Sequence, residues 1–162
     1  MAVARSLSSG RMRDGVQDNA TTRAIARLRR HRYGALVDGL IDEPSFLAKS
    51  MFGGMACYLH GRMMLILTDR RPPWRGVLVA TGHESHASLR QTLPTLIVHP
   101  IISKWLYLGE DAPDFEECAG ELVELILQDD PRLGVESKPR APRRRAAAKP
   151  KRPKARVPKS RG

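Results

Sequence analysis

The chain has 162 residues and a net charge of +11, and its two ends supply that charge. Residues 138–162 hold 12 of the 28 Lys and Arg residues and no acid, and residues 1–32 add 8 cations against two acids, whereas residues 33–137 carry a net charge of −7. This distribution excludes a basic surface over the whole protein, because a phosphate backbone is repelled by the average charge of the central part.

Localisation follows from what the sequence lacks. No apolar run approaches the roughly 18–20 residues that span a bilayer, and the N-terminus has no apolar segment of the secretory type. Cys57 and Cys118 match no metal or redox spacing. We therefore expect a cytoplasmic protein without a membrane partner or a cofactor, and the sequence leaves open whether the native start is Met1 or Met12.

Composition divides the chain into three parts. Residues 1–21 are polar and aperiodic, which is typical of a disordered segment. Residues 22–135 carry the apolar periodicity of a folded domain. Residues 136–162 contain five prolines and no aromatic residue, so we predict a disordered Lys/Arg/Pro-rich tail that is extended when it is unbound.

The predicted elements begin with a helical pattern from Thr22 to Ile41, which Asp42-Glu43-Pro44 ends because the residue before proline is biased away from helix. Two strands follow over residues 55–59 and 63–67, and His60-Gly61 forms a tight turn between them. The remaining elements are, in chain order, a strand over 76–81, a helix over 85–92, strands over 95–99 and 104–108, and a helix that Pro113 opens.

This order of elements predicts the fold class. Helix, three strands, helix, two strands and helix (α-β3-α-β2-α) are typical of an α+β domain. We expect two layers, in which helices cover one face of a five-stranded antiparallel sheet. The last helix should bury one face made of residues at positions i, i+3, i+7, i+10 and i+11, namely Phe115, Cys118, Leu122, Leu125 and Ile126.

Gly53 and Gly54 stand at the start of an apolar run, where glycine weakens a strand. A phosphate-binding loop needs its glycines to lead into Lys-Ser/Thr, or needs three spaced glycines after a strand, and neither pattern is present. We therefore expect these glycines to bend the sheet at a point where a neighbouring backbone or aromatic ring comes close.

The run from Lys49 to Met63 resembles the opening hairpin of the TfoX (Sxy) N-terminal domain family. In that family a Met-Phe-Gly-Gly strand turns through (Asp/His/Asn)-Gly-(Arg/Lys)-Met into a second apolar strand. The matching residues here are Met51, Phe52, Gly53, Gly54, Tyr58, Gly61, Arg62 and Met63. The resemblance implies a small α+β domain over about residues 33–130, an association with competence regulators and no catalytic residues. In place of the family's second, helical domain this chain has its basic tail.

His83 and His86 are the candidate metal ligands, because His-x-x-His on one helical turn places two imidazoles on one side. His60, His99 and Cys57 are further candidates, but no third ligand stands at a recognisable spacing. The neighbouring serines lack the context of an activated nucleophile. We therefore predict no metal site and no enzymatic activity.

The loop that contains Arg70, Arg71, Trp74 and Arg75 has two interpretations. Its cations and tryptophan are suited to bind phosphate, bases or an acidic partner. Alternatively, the tryptophan folds back to cover the sheet and the loop is merely solvated.

The tail is the second candidate for nucleic-acid contact. Its cations lack sequence-reading geometry and favour non-specific contact with DNA or RNA phosphates. The candidate contacts are Arg143, Arg144, Arg145, Lys149, Lys151, Arg152, Lys154 and Arg156. Our leading hypothesis is a non-enzymatic regulatory protein whose acidic body binds another protein while the tail contacts nucleic acid. The alternatives are a small-ligand or enzymatic domain that uses His83, His86 and Trp74, and a homo-oligomeric interaction module.

Overall fold

The computed structural model describes residues 11–136, with side chains from residue 19 onward. The first ten residues of the predicted disordered segment and the tail after Glu136 lie outside the described residues. Residues 11–136 form four α-helices: α1 (Arg11–Arg29), α2 (Asp38–Ile41), α3 (His86–Thr92) and α4 (Phe115–Leu127). Single 3-10 turns precede α2 at Gly34–Val37 and α3 at His83–Ser85. Within residues 11–136, no helix has the length and apolar character needed to cross a membrane.

The sheet is antiparallel and has seven strands, not the predicted five. The strands are β1 (Leu47–Met51), β2 (Gly54–Leu59), β3 (Arg62–Asp69), β4 (Arg75–Val79), β5 (Ile97–Val98), β6 (Leu106–Gly109) and β7 (Val135–Glu136). The five predicted strands correspond to β2–β6. The predicted order α-β3-α-β2-α is wrong in detail, because two helices and four strands precede α3, and β7 follows α4. The sequence pattern missed β1 because only Ala48 of that strand is buried, and it missed β7 because it has only two residues.

The single helix predicted over residues 22–41 is also interrupted. Helix α1 begins at Arg11 and ends at Arg29, and the chain reverses before α2. Gly34 permits this reversal, because a Cβ at that position would overlap the carbonyl oxygen of Leu28. If residues 22–41 formed one continuous helix, its first and second halves could not pack against each other as they do here.

The strands lie in the order β1-β2-β3-β4-β6-β5. Strand β7 pairs with β3 on the side that β4 occupies, with Met63 opposite Val135. It does so beyond the end of β4, where the Ala80 carbonyl oxygen accepts a hydrogen bond from the Gly134 amide at 2.8 Å. The end of the described chain is therefore joined to the central strand.

Two turns with positive φ angles shape the first three strands. Phe52 and Gly53 (φ 52° and 75°) connect β1 to β2, and His60 and Gly61 (φ 51° and 75°) connect β2 to β3. Two-residue hairpin turns of this kind match the twist of the flanking strands. The hairpin at His60-Gly61 is as predicted. Gly53, however, forms a turn between strands and does not bend the interior of one.

Gly54 begins β2 and is the position at which a neighbouring backbone comes close. A Cβ there would overlap the carbonyl oxygen of Leu67 on β3. Glycine is therefore required because the two strands pair with no room for a side chain.

The helices all pack on one face of the sheet, which we call the helix-covered face. Its core joins every helix to the central strands, as the buried residues Leu28 of α1, Leu40 of α2, Leu89 of α3, Leu122 of α4 and Leu65 of β3 illustrate. The predicted apolar face of the last helix lies here, with Phe115, Cys118, Leu122 and Ile126 buried and Leu125 partly so.

The opposite face of the sheet is also apolar, and we call it the loop-covered face. It carries a second buried cluster: Ala56, Tyr58, Met63, Ile66, Leu78, Ala80, Trp105 and Tyr107. Residues 99–105, named here the covering loop, connect β5 to β6 and contribute Ile102 and Trp105 to this cluster. Helices therefore cover one face of the sheet, and the covering loop covers the other.

We expect Gly54→Ala to lower the free energy of unfolding by about 2 kcal/mol or more, because the new methyl group must push β2 away from β3. Urea denaturation would measure the change. Gly120→Ala is the matched control, since Gly120 lies within α4 with no atom near its missing side chain. That variant should gain up to about 1 kcal/mol from helix propensity. Equal stability of the two variants would contradict the close approach at Gly54.

Candidate functional site

The loop-covered face has a continuous row of side chains across six strands. Directly paired residues of neighbouring strands point to the same face of a sheet. The pairings place on one line Lys49, Ala56, Ile66, Leu78, Tyr107 and Ile97. The four inner members are buried, whereas Lys49 and Ile97 at the ends are exposed. The centre of this face is therefore shielded from water, whereas its two edges are exposed to solvent.

Aromatic rings cover the centre of this face. Phe52, from the β1–β2 turn, meets Trp105 edge to face with the ring centroids 6.5 Å apart. Two lysines lie over rings: Lys49 Nζ is 5.0 Å from the Tyr58 centroid and Lys104 Nζ is 5.1 Å from the Trp105 centroid. Cations at such distances are attracted by the ring quadrupole. Each lysine is thus held at the surface of the face.

His99 fixes the covering loop to the loop of residues 70–74, which we call the Trp74 loop. The buried imidazole donates from Nε2 to the Pro73 carbonyl oxygen at 2.8 Å, and its Nδ1 accepts from the amides of Ile101 and Ile102. These bonds require a neutral ring with its proton on Nε2. The same ring packs against Trp74, with centroids 4.6 Å apart. Trp74 is therefore folded against the sheet and remains partly exposed.

A network at the end of the Trp74 loop involves Glu110, which follows β6. Its carboxylate accepts from the Tyr33 hydroxyl at 2.6 Å, lies 2.7 Å from Arg75 Nε and pairs with Arg32. The hydrogen bond from Tyr33 and the Arg32 guanidinium hold the pKa of Glu110 below its usual range. Burial, followed by the bond to Glu110, raises the pKa of Tyr33 to about 12. The network joins the chain after α1 to β4 and positions the residue that follows Trp74.

Four cations beside this face have no acidic partner. Among the described residues, no carboxylate forms an ion pair with Lys49, Arg70, Arg71 or Lys104. Arg75, the remaining cation of the predicted loop, is paired with Glu110 and, at 3.9 Å, with Asp69. The Arg70 guanidinium lies over Gly53, next to Phe52. The Trp74 loop and the β1–β2 turn are thus adjacent.

The histidines proposed as metal ligands lie in three places, and His60 stands apart from the others at the β2–β3 turn, where its Nδ1 is 3.0 Å from the Ser45 hydroxyl oxygen. His83 and His86 are neighbours, with ring centroids 4.8 Å apart, but His99 contacts Trp74 and Tyr107 instead. His86 is buried and donates from Nε2 to the Lys104 carbonyl oxygen at 3.0 Å. In the part of the chain that the structure describes, no group of three or more His, Cys, Asp or Glu residues could hold a metal ion. His86 and His99 instead hold backbone around the covering loop.

The acidic residues collect on the helical side of the molecule. Residues 113–131 hold seven acids and no Lys or Arg. A cleft of about 700 Å³ opens beside them, and its lining includes Tyr33, Leu36, Phe115 and Glu117. By contrast, no strand places a carboxylate on the loop-covered face, where the strand residues other than Lys49 and Thr68 are apolar or glycine. The two sides of the domain therefore differ in charge.

Several residues of the site were not predicted as site residues. Lys104 carries no motif, although the sequence Lys-Trp at 104–105 is the type of pair from which a cation–ring contact forms. Phe52 belongs to the TfoX-like motif, but the sequence did not indicate that its ring is exposed. Glu110 and Tyr33 are 77 positions apart, and only the fold brings them together. Tail residues Arg143 to Arg156 lie outside the described residues.

We expect His99→Ala to lower the free energy of unfolding by about 2–4 kcal/mol, because the buried imidazole leaves a cavity and the Pro73 carbonyl and two amides lose their partner. Urea denaturation followed by tryptophan emission would measure both the loss and the release of Trp74. His83→Ala is the control, since the exposed His83 should change stability by less than about 0.5 kcal/mol. A loss of equal size in both variants would contradict the structural role of His99.

Neither cysteine forms a disulfide, and both are buried in the way that small apolar residues are. Burial raises the pKa of Cys57 to about 12 and is the main cause that raises the pKa of Cys118 to about 11. At pH 8 we therefore expect both thiols to react with Ellman's reagent at least about 100-fold more slowly in the native protein than in urea. Fast reaction of either thiol in the native protein would contradict the packing described.

A scan against protein-family models, a search of curated proteins and a search of solved structures each found no match to this chain. The functional conclusions that follow accordingly depend on the residues, the resemblance of the opening hairpin and the geometry of the two faces.

Proposed function

We propose that this chain is a non-enzymatic regulatory or accessory protein of the TfoX N-terminal type. Its folded domain binds a protein partner, and its basic tail contacts DNA or RNA without sequence preference. The observation that carries the proposal is the opposite charge of the two parts: −7 over residues 33–137 and +12 over residues 138–162. A polyanion is attracted to one part and repelled by the average surface of the other.

The helical side supports the protein-binding half of the proposal. Of the seven acids over residues 113–131, Asp130 is paired with Arg132, and the other six suit a basic partner surface. The neighbouring cleft adds partly buried apolar side chains, Leu36 among them, to this acidic rim. Apolar contact combined with charge complementarity is typical of specific protein interfaces.

The opening hairpin supports the family assignment. Both glycines of the TfoX-like turns, Gly53 and Gly61, have the positive φ that glycine adopts without strain. Gly54 has no room for a side chain, which accounts for the second glycine of the Met-Phe-Gly-Gly motif. The motif residues therefore have structural roles that a related domain would share.

We expect the full chain to bind a random DNA duplex and a random RNA with an affinity that falls steeply with salt. If about six phosphates are contacted, the slope of log affinity against log salt is near −5. The measurement is fluorescence anisotropy across a salt series. A chain of residues 1–137 should lose the duplex binding and keep the circular dichroism of the folded domain.

The control keeps the length of the tail and removes its charge. This neutral-tail chain has Gln at all twelve Lys and Arg residues of 138–162, which include the candidate contacts Arg143, Arg144, Arg145, Lys149, Lys151, Arg152, Lys154 and Arg156. It should bind the duplex as weakly as the truncated chain does, because the contact depends on charge. Unchanged affinity in both the truncated and the neutral-tail chain would refute a role for the tail.

A further inference from the structure

We propose that the loop-covered face binds single-stranded nucleic acid. This proposal rests on the proposed function, in which the protein binds nucleic acid. It adds a second binding surface and specifies that the nucleic acid bound there is single-stranded. Bases stack on the two accessible rings, those of Phe52 and Trp74. Phosphates contact Lys49, Arg70, Arg71 and Lys104, the four cations beside this face that form no ion pair with a carboxylate of the described residues.

The rings are placed for stacking. Phe52 is 54% exposed although it is a large aromatic residue, and it stands on a tight turn that fixes its backbone. Trp74 is partly exposed and is held from behind by His99. Arg70 links the two turns that carry these rings, because its guanidinium packs over Gly53 and its amide donates to the Trp74 carbonyl oxygen at 2.8 Å. Rigid exposed rings next to cations are the surface on which single strands stack.

The exposed apolar residues of this side extend the same surface. Ile101 in the covering loop is 65% exposed, and Ile97 at the end of the side-chain row is 46% exposed. Their aliphatic side chains offer an apolar surface for contact with bases and sugars. Free bases of a single strand can reach such a surface, whereas the paired bases of a duplex cannot.

The charges favour a polyanion over other occupants. The strands place no carboxylate on this face, while the acids lie on the helical side. A second copy that docked face to face would set one cationic surface against another, and like charges disfavour that contact. Within residues 11–136, no helix projects from this face that could enter a major groove.

The position of the tail fits the same ligand. Val135 packs against the cluster of the loop-covered face and pairs with Met63. The chain leaves the described residues one position later, so 26 residues with twelve cations begin beside the face. One strand can therefore engage the tail through its phosphates and the face through its bases.

The test uses the full chain with two probes, a 15-nucleotide oligo(dT) and a 15-base-pair duplex. Phe52→Asn removes the ring and suits the left-handed backbone at this turn, so the variant should fold. We expect its affinity for oligo(dT) to fall about tenfold, while duplex affinity changes less than about twofold. Leu127→Asn is the control, because Leu127 is 41% exposed on the helical side and should alter neither affinity.

Tryptophan emission gives an independent readout. The chain has two tryptophans, and Trp105 is buried. Oligo(dT) should quench the emission of the native chain, and the duplex should not. Trp74→Phe should lose most of the quench and keep the affinity, whereas Trp74→Ala should lose both.

The cations are tested through salt dependence. Lys49→Gln and Lys104→Gln should each lower the salt slope for oligo(dT) by about one. Arg30→Gln is the control and should leave the salt slope unchanged. Arg30 is an exposed cation that follows α1, which packs on the helix-covered face.

The outcomes separate the two proposals. Equal loss of oligo(dT) and duplex binding in Phe52→Asn, or no loss of either, would overturn the stacking surface. Competition by poly-L-glutamate as effective as that by oligo(dT) would also overturn it and would favour an acidic protein as the occupant. If the neutral-tail chain loses duplex binding but keeps a ring-dependent preference for oligo(dT), both proposals hold. If neutralising the tail changes nothing while Phe52→Asn still acts, only the role of the tail fails.

Discussion

Strand β3 is apolar on both faces, and the arrangement of the rest of the domain depends on that property. Leu65 and Leu67 enter the core under the helices, whereas Ile66 enters the opposite cluster, and all three are almost fully buried. Each face therefore needs a cover that excludes water. Helices supply one cover, and an irregular loop with aromatic side chains supplies the other. Because buried irregular backbone must find hydrogen-bond partners, the second cover requires a group such as the His99 imidazole, which satisfies three backbone groups at once.

Local patterns were sufficient to predict the α+β class, the central strands, the His60-Gly61 turn and the buried face of α4, since each depends on residues close in sequence. Strand β1 was missed because Leu47, Lys49 and Ser50 are exposed and the strand lacks an apolar signal. The break before α2 was missed because the constraint on Gly34 comes from a carbonyl oxygen that only the folded reversal brings near. The sequence was compatible with His86 and His99 as metal ligands or as structural residues. It could not distinguish the two roles, because their hydrogen-bond partners lie 18 and 26 positions away along the chain.

The domain separates opposite charges on opposite sides of one sheet. A net charge near −7 for the body conceals a face whose strands carry no carboxylate, because the acids are concentrated over α4 and its flanks. Total charge is thus a poor guide to what a given surface attracts, and local geometry decides it. The two sides could be occupied at the same time, one by a basic protein surface and the other by a nucleic acid. A protein of this kind would bring its two partners together without chemistry of its own.

The two edges of the sheet affect how copies of this protein meet. Strand β5 has two residues, and β1 has an exposed lysine at its centre and lies beside α1, where Arg27 donates to the Ser50 hydroxyl at 3.1 Å. Short or charged edge strands are poor templates for strands of another molecule. Crowding many copies along a shared polymer should therefore not extend the sheet from one copy to the next. Neighbouring molecules would remain separate folded units, which is a requirement for any protein that coats or scans a long strand at high local density.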